Sequence, residues 1–299
     1  MIRRVAFILS LAALSGCTEE PAGEPVVRTA LSSGGSETGA QSADGDTAQP
    51  APGGSPEDGS ADGSLTAATA SLCRKVTFEE TPLTHCVADP ARHTLSTVLS
   101  PDGGQPFGSL SAYAKTVEAD TIALAVNAGA FGDDLRPLGY YVESGERRAL
   151  LNQADGSGNF FLKPNGVLFG SESKWQILTT QDFLAKVRDR PRFGTQSGPM
   201  LVIKGVLHPQ FQEDGPSRAI RHGVGLGADG TAHFVISDAP LSFGKFARFF
   251  KNRLGTPNAI ALGGPVTALW DPASGRLDDK RVGPLLVVKK RLEQASAAP

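Results

Sequence analysis

Cysteine is scarce: three in 299 residues, with only His85 beside any of the last two, so the close Cys/His spacing of a zinc site is missing. No Gly-rich phosphate loop followed by Lys-Ser or Lys-Thr occurs, and no dinucleotide fingerprint or catalytic Cys–His pair. No cofactor and no metal is therefore expected. From Ser32 to Ser64 there is no aromatic residue and no Leu, Ile or Val. Such a stretch cannot bury enough apolar surface to offset its ordering entropy. Excess charge is lacking too. The nine acids and one arginine from Thr18 to Ser64 give −8, and Arg3 and Arg4 give +2. With −2 for the whole chain, residues 65–299 carry +4, far too little to argue for nucleic acid.

What is present divides the chain into three. Arg3 and Arg4 precede a short apolar run, Val5 to Leu14, and then Leu14-Ser15-Gly16-Cys17. A basic start, an apolar centre too short to cross a bilayer and small residues after it make an export signal. Leu-Ser-Gly-Cys resembles the bacterial lipoprotein lipobox, which implies cleavage before Cys17 and lipidation of it. An ordinary secretory signal with an incidental cysteine is the alternative. Residues 1–16 are thus read as a signal and 17–69 as an acidic, flexible Gly/Ser/Pro-rich linker. Residues 70–299 form one folded domain. Thr18 after the cysteine, rather than Asp, suggests the outer membrane, so the expected place is the bacterial envelope, lipid-anchored and facing the periplasm. In that oxidising compartment the two remaining cysteines, Cys73 and Cys86, are expected to pair.

In the domain, strands are expected at Thr121–Val126, Gly139–Val142, Asn159–Leu162, Pro199–Ile203, Gly223–Leu226, His233–Ile236, Ala259–Leu262 and Pro284–Val288, with a further candidate at Val266–Trp270. Leu110, Tyr113, Ala114 and Val117 recur at helical spacing, as do Phe243, Phe246, Ala247 and Phe250, and a third helix covers Gln181–Arg188. Strands outnumber helices, which predicts an α+β fold: a mixed sheet flanked by helices. Ala228-Asp229-Gly230-Thr231 marks a hairpin with a two-residue Asp-Gly turn.

Several short motifs sit where strands end. Asn127, in "LAVNAGAF", offers an amide that donates and accepts, and Gly129 lets main-chain N–H groups approach an anion. Gln196, Ser197 and Gly198 precede an apolar strand, and Ser197 lacks the Gly-x-Ser-x-Gly frame of a hydrolase nucleophile. Ser217, Arg218, Arg221 and His222 enter a glycine-rich strand, where an arginine fork suits an oxyanion. Asp238 closes another strand, as a site carboxylate or as a helix cap. In "NAIALGGPVTALW", Gly263 and Gly264 break an apolar run, either as a plain turn or as a close approach to a ligand.

Taken in order, Asn127-Ala-Gly-Ala-Phe131, Pro137 to Val142, Gly158 to Val167, Thr195 to Leu201, Ser217-Arg218, Ile236-Ser237-Asp238, the Phe-rich helix and "NAIAL" resemble the phosphodiester glycosidase family. The resemblance is to its bacterial exported branch and spans roughly Phe107 to Val288. It implies an exported hydrolase acting on a sugar phosphodiester of the N-acetylglucosamine-1-phosphodiester type, in envelope or extracellular polysaccharide. On this reading Asp238 supplies a carboxylate and Arg218 grips the phosphate. Asn127, Gly129, Gln196, Ser197, Gly198, Gly263 and Gly264 line the substrate. In relatives the last strand ends in Leu-Asp-Gly, whereas here Leu262 is followed by Gly263. A missing carboxylate leaves open a descendant that binds glycan without cutting it, or an envelope protein whose motifs serve the fold alone.

Overall fold

The described residues of the computed structural model are 70–264 and 266–291. The expected signal, Cys17, the linker and Pro265 lie outside them. The fold is α+β, as the pattern implies. In place of one mixed sheet, the strands form three sheets, and every pairing among the described residues is antiparallel.

The first sheet has seven strands in the order Cys73–Phe78, Thr81–Ala88, Ala232–Ser237, His222–Leu226, Asn258–Ala261, Met200–Ile203 and Val206–Leu207. The second orders Arg276–Leu277, Leu269–Asp271, Ile122–Asn127, Leu285–Lys290 and His93–Val98. The third orders Glu146–Ala149, Tyr141–Glu143, Phe193–Ser197, Gly166–Gly170 and Trp175–Thr179. Because side chains alternate along a strand, each sheet offers one inner and one outer face. The inner faces meet in one apolar core. Val224, Phe234 and Ile260 come from the first sheet, Leu124, Val126 and Leu286 from the second, and Leu168, Ile177 and Phe193 from the third.

Each outer face is covered by one short helix. Phe243–Arg248, continuing as a wider turn over Phe249–Arg253, places Phe246, Phe249 and Phe250 on the first sheet. Burying each ring contributes about 2 kcal/mol. The alternation in "GVGLG" is explained here: Val224 and Leu226 point into the core, and Gly223 and Gly225 point at the helix. A Cβ on Gly225 would lie 2.7 Å from Phe250 Cδ1, so a larger residue would push the helix off the sheet. Leu110–Ala114 covers the second sheet through Leu110 and Tyr113, and Thr180–Lys186 covers the third through Phe183. A hydroxyl starts each helix: Ser109, Thr179 and Ser242 accept from the amides of Ala112, Asp182 and Lys245.

The expected pairing of Cys73 with Cys86 is present as a disulfide. The two cysteines face each other in register, so the bond fastens the edge strand Cys73–Phe78 to its neighbour. Two local expectations change. Asn159–Phe161 is a turn of 3-10 helix rather than a strand, because Gly158 enters it at φ +90° and Phe160 tucks inward. The hairpin after Leu226 has a three-residue loop: Gly227 N donates to Thr231 O, and Gly230 takes the positive φ of +85°. Asp229 Oδ1 accepts from Thr231 N there, a structural role.

Candidate active site

The register of the first sheet brings three strand ends together. His222 is opposite Ile236 and Gly223 opposite Ala261. Arg221–His222 therefore begins a strand where Ser237–Asp238 and Leu262–Gly263 end two others. Main-chain bonds tie the three: Ser237 N donates to Arg221 O, and Leu262 N to His222 O. Beside this junction opens a cleft of about 690 Å³. Its lining includes Phe131, Asp133 and Arg281, the turn Asn159, Phe160 and Phe161, and, from the strand junction, Arg221, His222, Gly263 and Gly264.

Of the charged residues that line the cleft, Arg221 is the buried one, only 6% exposed. Its guanidinium carbon stands 3.5 Å from the centroid of the Phe243 ring. Nε donates to Leu241 O at 2.9 Å and Nη2 to Ser217 O at 2.8 Å, while Nη1 has no protein partner among the described residues. Desolvation pushes its pKa down to about 10, so it remains a cation at neutral pH. A buried guanidinium with two corners fixed and one corner unbonded is a pre-organised donor for an anion.

His222 is buried beside it. Nε2 donates to Asn127 O at 3.1 Å, since a carbonyl can only accept, which leaves Nδ1 to accept from Thr267 Oγ1 at 3.1 Å. Desolvation lowers its pKa to about 4, so the ring is neutral and has no free nitrogen for proton transfer. It fastens the second sheet to the first at the root of the cleft.

The sequence motifs converge on this junction, mostly as support beneath it. Gly263 and Gly264 line the cleft. Gly263 N donates to Ser197 Oγ at 3.2 Å, so Ser197 holds the glycine turn rather than facing the cleft. Asn127 is fully buried: Nδ2 donates to Val266 O and Oδ1 accepts from Ala268 N, which fixes the chain on the far side of the turn. Gln196 is spent similarly, with Oε1 accepting from Tyr140 N and Asn152 N and Nε2 donating to Asn152 O and Thr180 Oγ1. Gly129 is required by packing: at φ +64°, a Cβ there would sit 2.4 Å from Thr195 Oγ1. Gly198 lies against Asn165, whose Cβ would be 2.6 Å from an added Cβ.

Arg218 and Asp238 are not brought into the cleft. Arg218 is exposed and pairs with Asp214 at 2.5 Å, one helical turn's worth of residues earlier in the same loop. Asp238 faces the edge of the first sheet, where its carboxylate pairs with Lys75 at 2.9 Å and accepts from Thr84 Oγ1 at 3.0 Å. The guanidiniums that do border the cleft are those of Arg221 and Arg281, and the carboxylate is that of Asp133. Arg221 stands in the same motif as Arg218, and its signal was adjacency to the strand: the residue immediately before His222 is held by pairing, whereas Arg218 is still in the loop. Asp133 and Arg281 come from loops that carry no pattern.

The position of Gly263 bears on the missing acid. It sits at φ +68°, and an added Cβ would lie 2.9 Å from Asn127 Nδ2 and 3.1 Å from His222 Cε1. A side chain here would point at the Asn127–His222 pair beneath the cleft floor.

A cleft lined by aromatic rings, amide and hydroxyl groups and a half-satisfied arginine suits a polar, anionic ligand. The model of the phosphodiester glycosidase family matches residues 120–289, more than half of the sequence, and the chain belongs to that family. It is 33% identical over 168 residues to the uncharacterized protein YigE of Escherichia coli (strain K12); the match covers 56% of this chain and 65% of that relative. In structure it is similar to the catalytic domain of zebrafish N-acetylglucosamine-1-phosphodiester alpha-N-acetylglucosaminidase, auto-inhibited by its pro-peptide. The TM-score is 0.51 with 15% identity, covering 74% of this chain and 87% of that one, which speaks to the fold alone.

Proposed function

We propose that the domain is an exported, lipid-anchored glycosidase of the bacterial envelope that hydrolyses a glycosyl phosphodiester, of the N-acetylglucosamine-1-phosphodiester type, in envelope or extracellular glycan. The observation that carries this reading is Arg221: a buried guanidinium that lines the cleft, with Nε and Nη2 held by main-chain oxygens and Nη1 unbonded among the described residues. In the reaction water adds to the anomeric carbon, the bond from that carbon to the phosphate oxygen breaks, and the phosphomonoester leaves as an anion. That leaving group needs little protonation. What it requires is a fixed positive charge, supplied by Arg221 and reinforced by Arg281, both of which line the cleft. Asp133, the carboxylate among the lining residues, accepts the proton of the attacking water. Phe131 and Phe161 give the sugar ring apolar faces, and Asn159 and Ser217 meet its hydroxyls.

The test is release of free N-acetylglucosamine from an N-acetylglucosamine-1-phosphodiester by the purified chain. Release that falls about 10²-fold or more in Arg221→Ala supports the reading; equal release by wild type and Arg221→Ala refutes it.

A second reading rests on Gly263. Glycoside hydrolysis usually enlists two carboxylates, and the described lining of this cleft holds one, Asp133. A glycan-binding protein that no longer cuts would show saturable binding of the sugar phosphate and no release. Gain of release in Gly263→Asp would then mark the lost group.

A further inference from the structure

The outer face of the third sheet carries a second hollow, of about 740 Å³, on a different part of the surface from the glycine-rimmed cleft. It runs between the helix Thr180–Lys186 and the segment leaving the edge strand Glu146–Ala149. Its floor is apolar, with Tyr140, Leu151, Phe183 and Val187. Leu150 and Leu184 stand at its two sides, 70% and 53% exposed. Soluble surfaces carry single exposed leucines as a matter of course, but here two sit over one apolar floor.

The charges around it are one-sided. Arg147, Arg188 and Arg190 line the hollow with a single acid, Asp189. Nearby cations are neutralised: Arg148 pairs with Glu146, and Lys186 with Asp182. Arg147, Arg188 and Arg190 are all exposed and form no ion pair or side-chain hydrogen bond among the described residues. Unpaired guanidiniums around projecting leucines match a layered partner, anionic at one depth and apolar a few ångströms deeper. That is the profile of an anionic lipid surface. A peptide lying in the hollow would cover the floor and leave the outward leucine tips in water, whereas a broad surface covers both.

We propose that this face docks on an anionic phospholipid surface, with Leu150 and Leu184 entering the headgroup boundary and Arg147, Arg188 and Arg190 contacting lipid phosphates. The docking is a property of the folded domain and stands independently of any lipid on Cys17 and of the reaction in the cleft.

A local reporter separates docking from anchoring. In the full chain carrying Leu150→Trp, the native Trp175 and Trp270 are each 5% exposed, so the change in emission comes from position 150. Vesicles of phosphatidylglycerol and phosphatidylcholine in equal parts should shift that emission to shorter wavelength, and vesicles of phosphatidylcholine alone should not. Adding Arg188→Gln and Arg190→Gln should raise the lipid concentration needed for half the shift by about tenfold or more. Both arginines are exposed, so the fold is retained, which an unchanged thermal midpoint verifies. No shift with either vesicle overturns the proposal. So does an equal shift with both, or a shift with a synthetic peptide of the acidic residues 18–31 and none with vesicles.

Discussion

His222 donates from Nε2 to the main-chain oxygen of Asn127 at 3.1 Å, joining the start of a first-sheet strand to the end of the central strand of the second sheet. Because Nδ1 is also engaged, by Thr267, the ring is held neutral, and desolvation places its folded-state pKa at about 4. A histidine whose folded pKa is depressed contributes stability that is present above its unfolded pKa, about 6.5, and is lost as pH falls towards the folded value. The window is thus pH 6.5 to 4, and in it this one group costs about 1.4 kcal/mol per pH unit. Denaturant midpoints measured across that window should show a shallower slope for His222→Gln than for wild type. Parallel slopes would place the acid sensitivity elsewhere.

Gly263 and Gly264 are adjacent, yet they should differ in tolerance. Gly263 is at φ +68°, with an added Cβ 2.9 Å from Asn127 Nδ2, while nothing lies within 4 Å of a Cβ on Gly264. Gly263→Ala is expected to cost about 2 kcal/mol, lowering Tm by roughly 4–8 °C. Gly264→Ala should stay within about 0.5 kcal/mol of wild type. Thermal unfolding of the two variants checks this, and an equal effect would contradict the packing described beneath the turn.

The two ion-paired residues at the margin should be dispensable for chemistry. Arg218→Ala removes an exposed pair with Asp214, and Asp238→Asn weakens one with Lys75. Each should change stability by about 1 kcal/mol or less and leave kcat/KM for a sugar phosphodiester within about threefold. A loss of about 10²-fold in either would return that residue to the site.

The disulfide closes a short loop, its cysteines 13 residues apart. Loop-closure entropy gives about 3 kcal/mol for a crosslink of this span. Paired Cys73→Ser and Cys86→Ser substitutions should lower the denaturant midpoint accordingly, and a reductant should have the same effect on wild type. An unchanged midpoint would show that the edge strand is held by its hydrogen bonds alone.

Much of this fold is written in local pattern. The alternation of "GVGLG" and "HFVIS" and the Phe spacing at 243, 246 and 250 lead directly to a strand pair and the helix covering it. Strands such as Cys73–Phe78 and Glu146–Ala149 are hidden because they are edge strands, half-exposed and rich in charge. The site was legible as a set of loops and illegible in its layers. Asn127, Gln196 and Ser197 carry amides and a hydroxyl that suit a ligand, and the structure spends all three on backbone groups. Arg218 and Arg221 are chemically equal in the sequence. Only strand pairing at His222 and the Phe243 ring decide which is buried beside the cleft. The free arginines around Leu150 and Leu184 leave no sequence signal, because their segments are far apart in the chain.

A crystal soaked with N-acetylglucosamine 1-phosphate tests most directly the proposal that Arg221 anchors the ligand's phosphate. The phosphate should lie within hydrogen-bonding distance of Arg221 Nη1, with the sugar against Phe131 or Phe161. A phosphate bound instead at Arg218, or a sugar phosphate seated away from the Gly263–Gly264 turn, would contradict it.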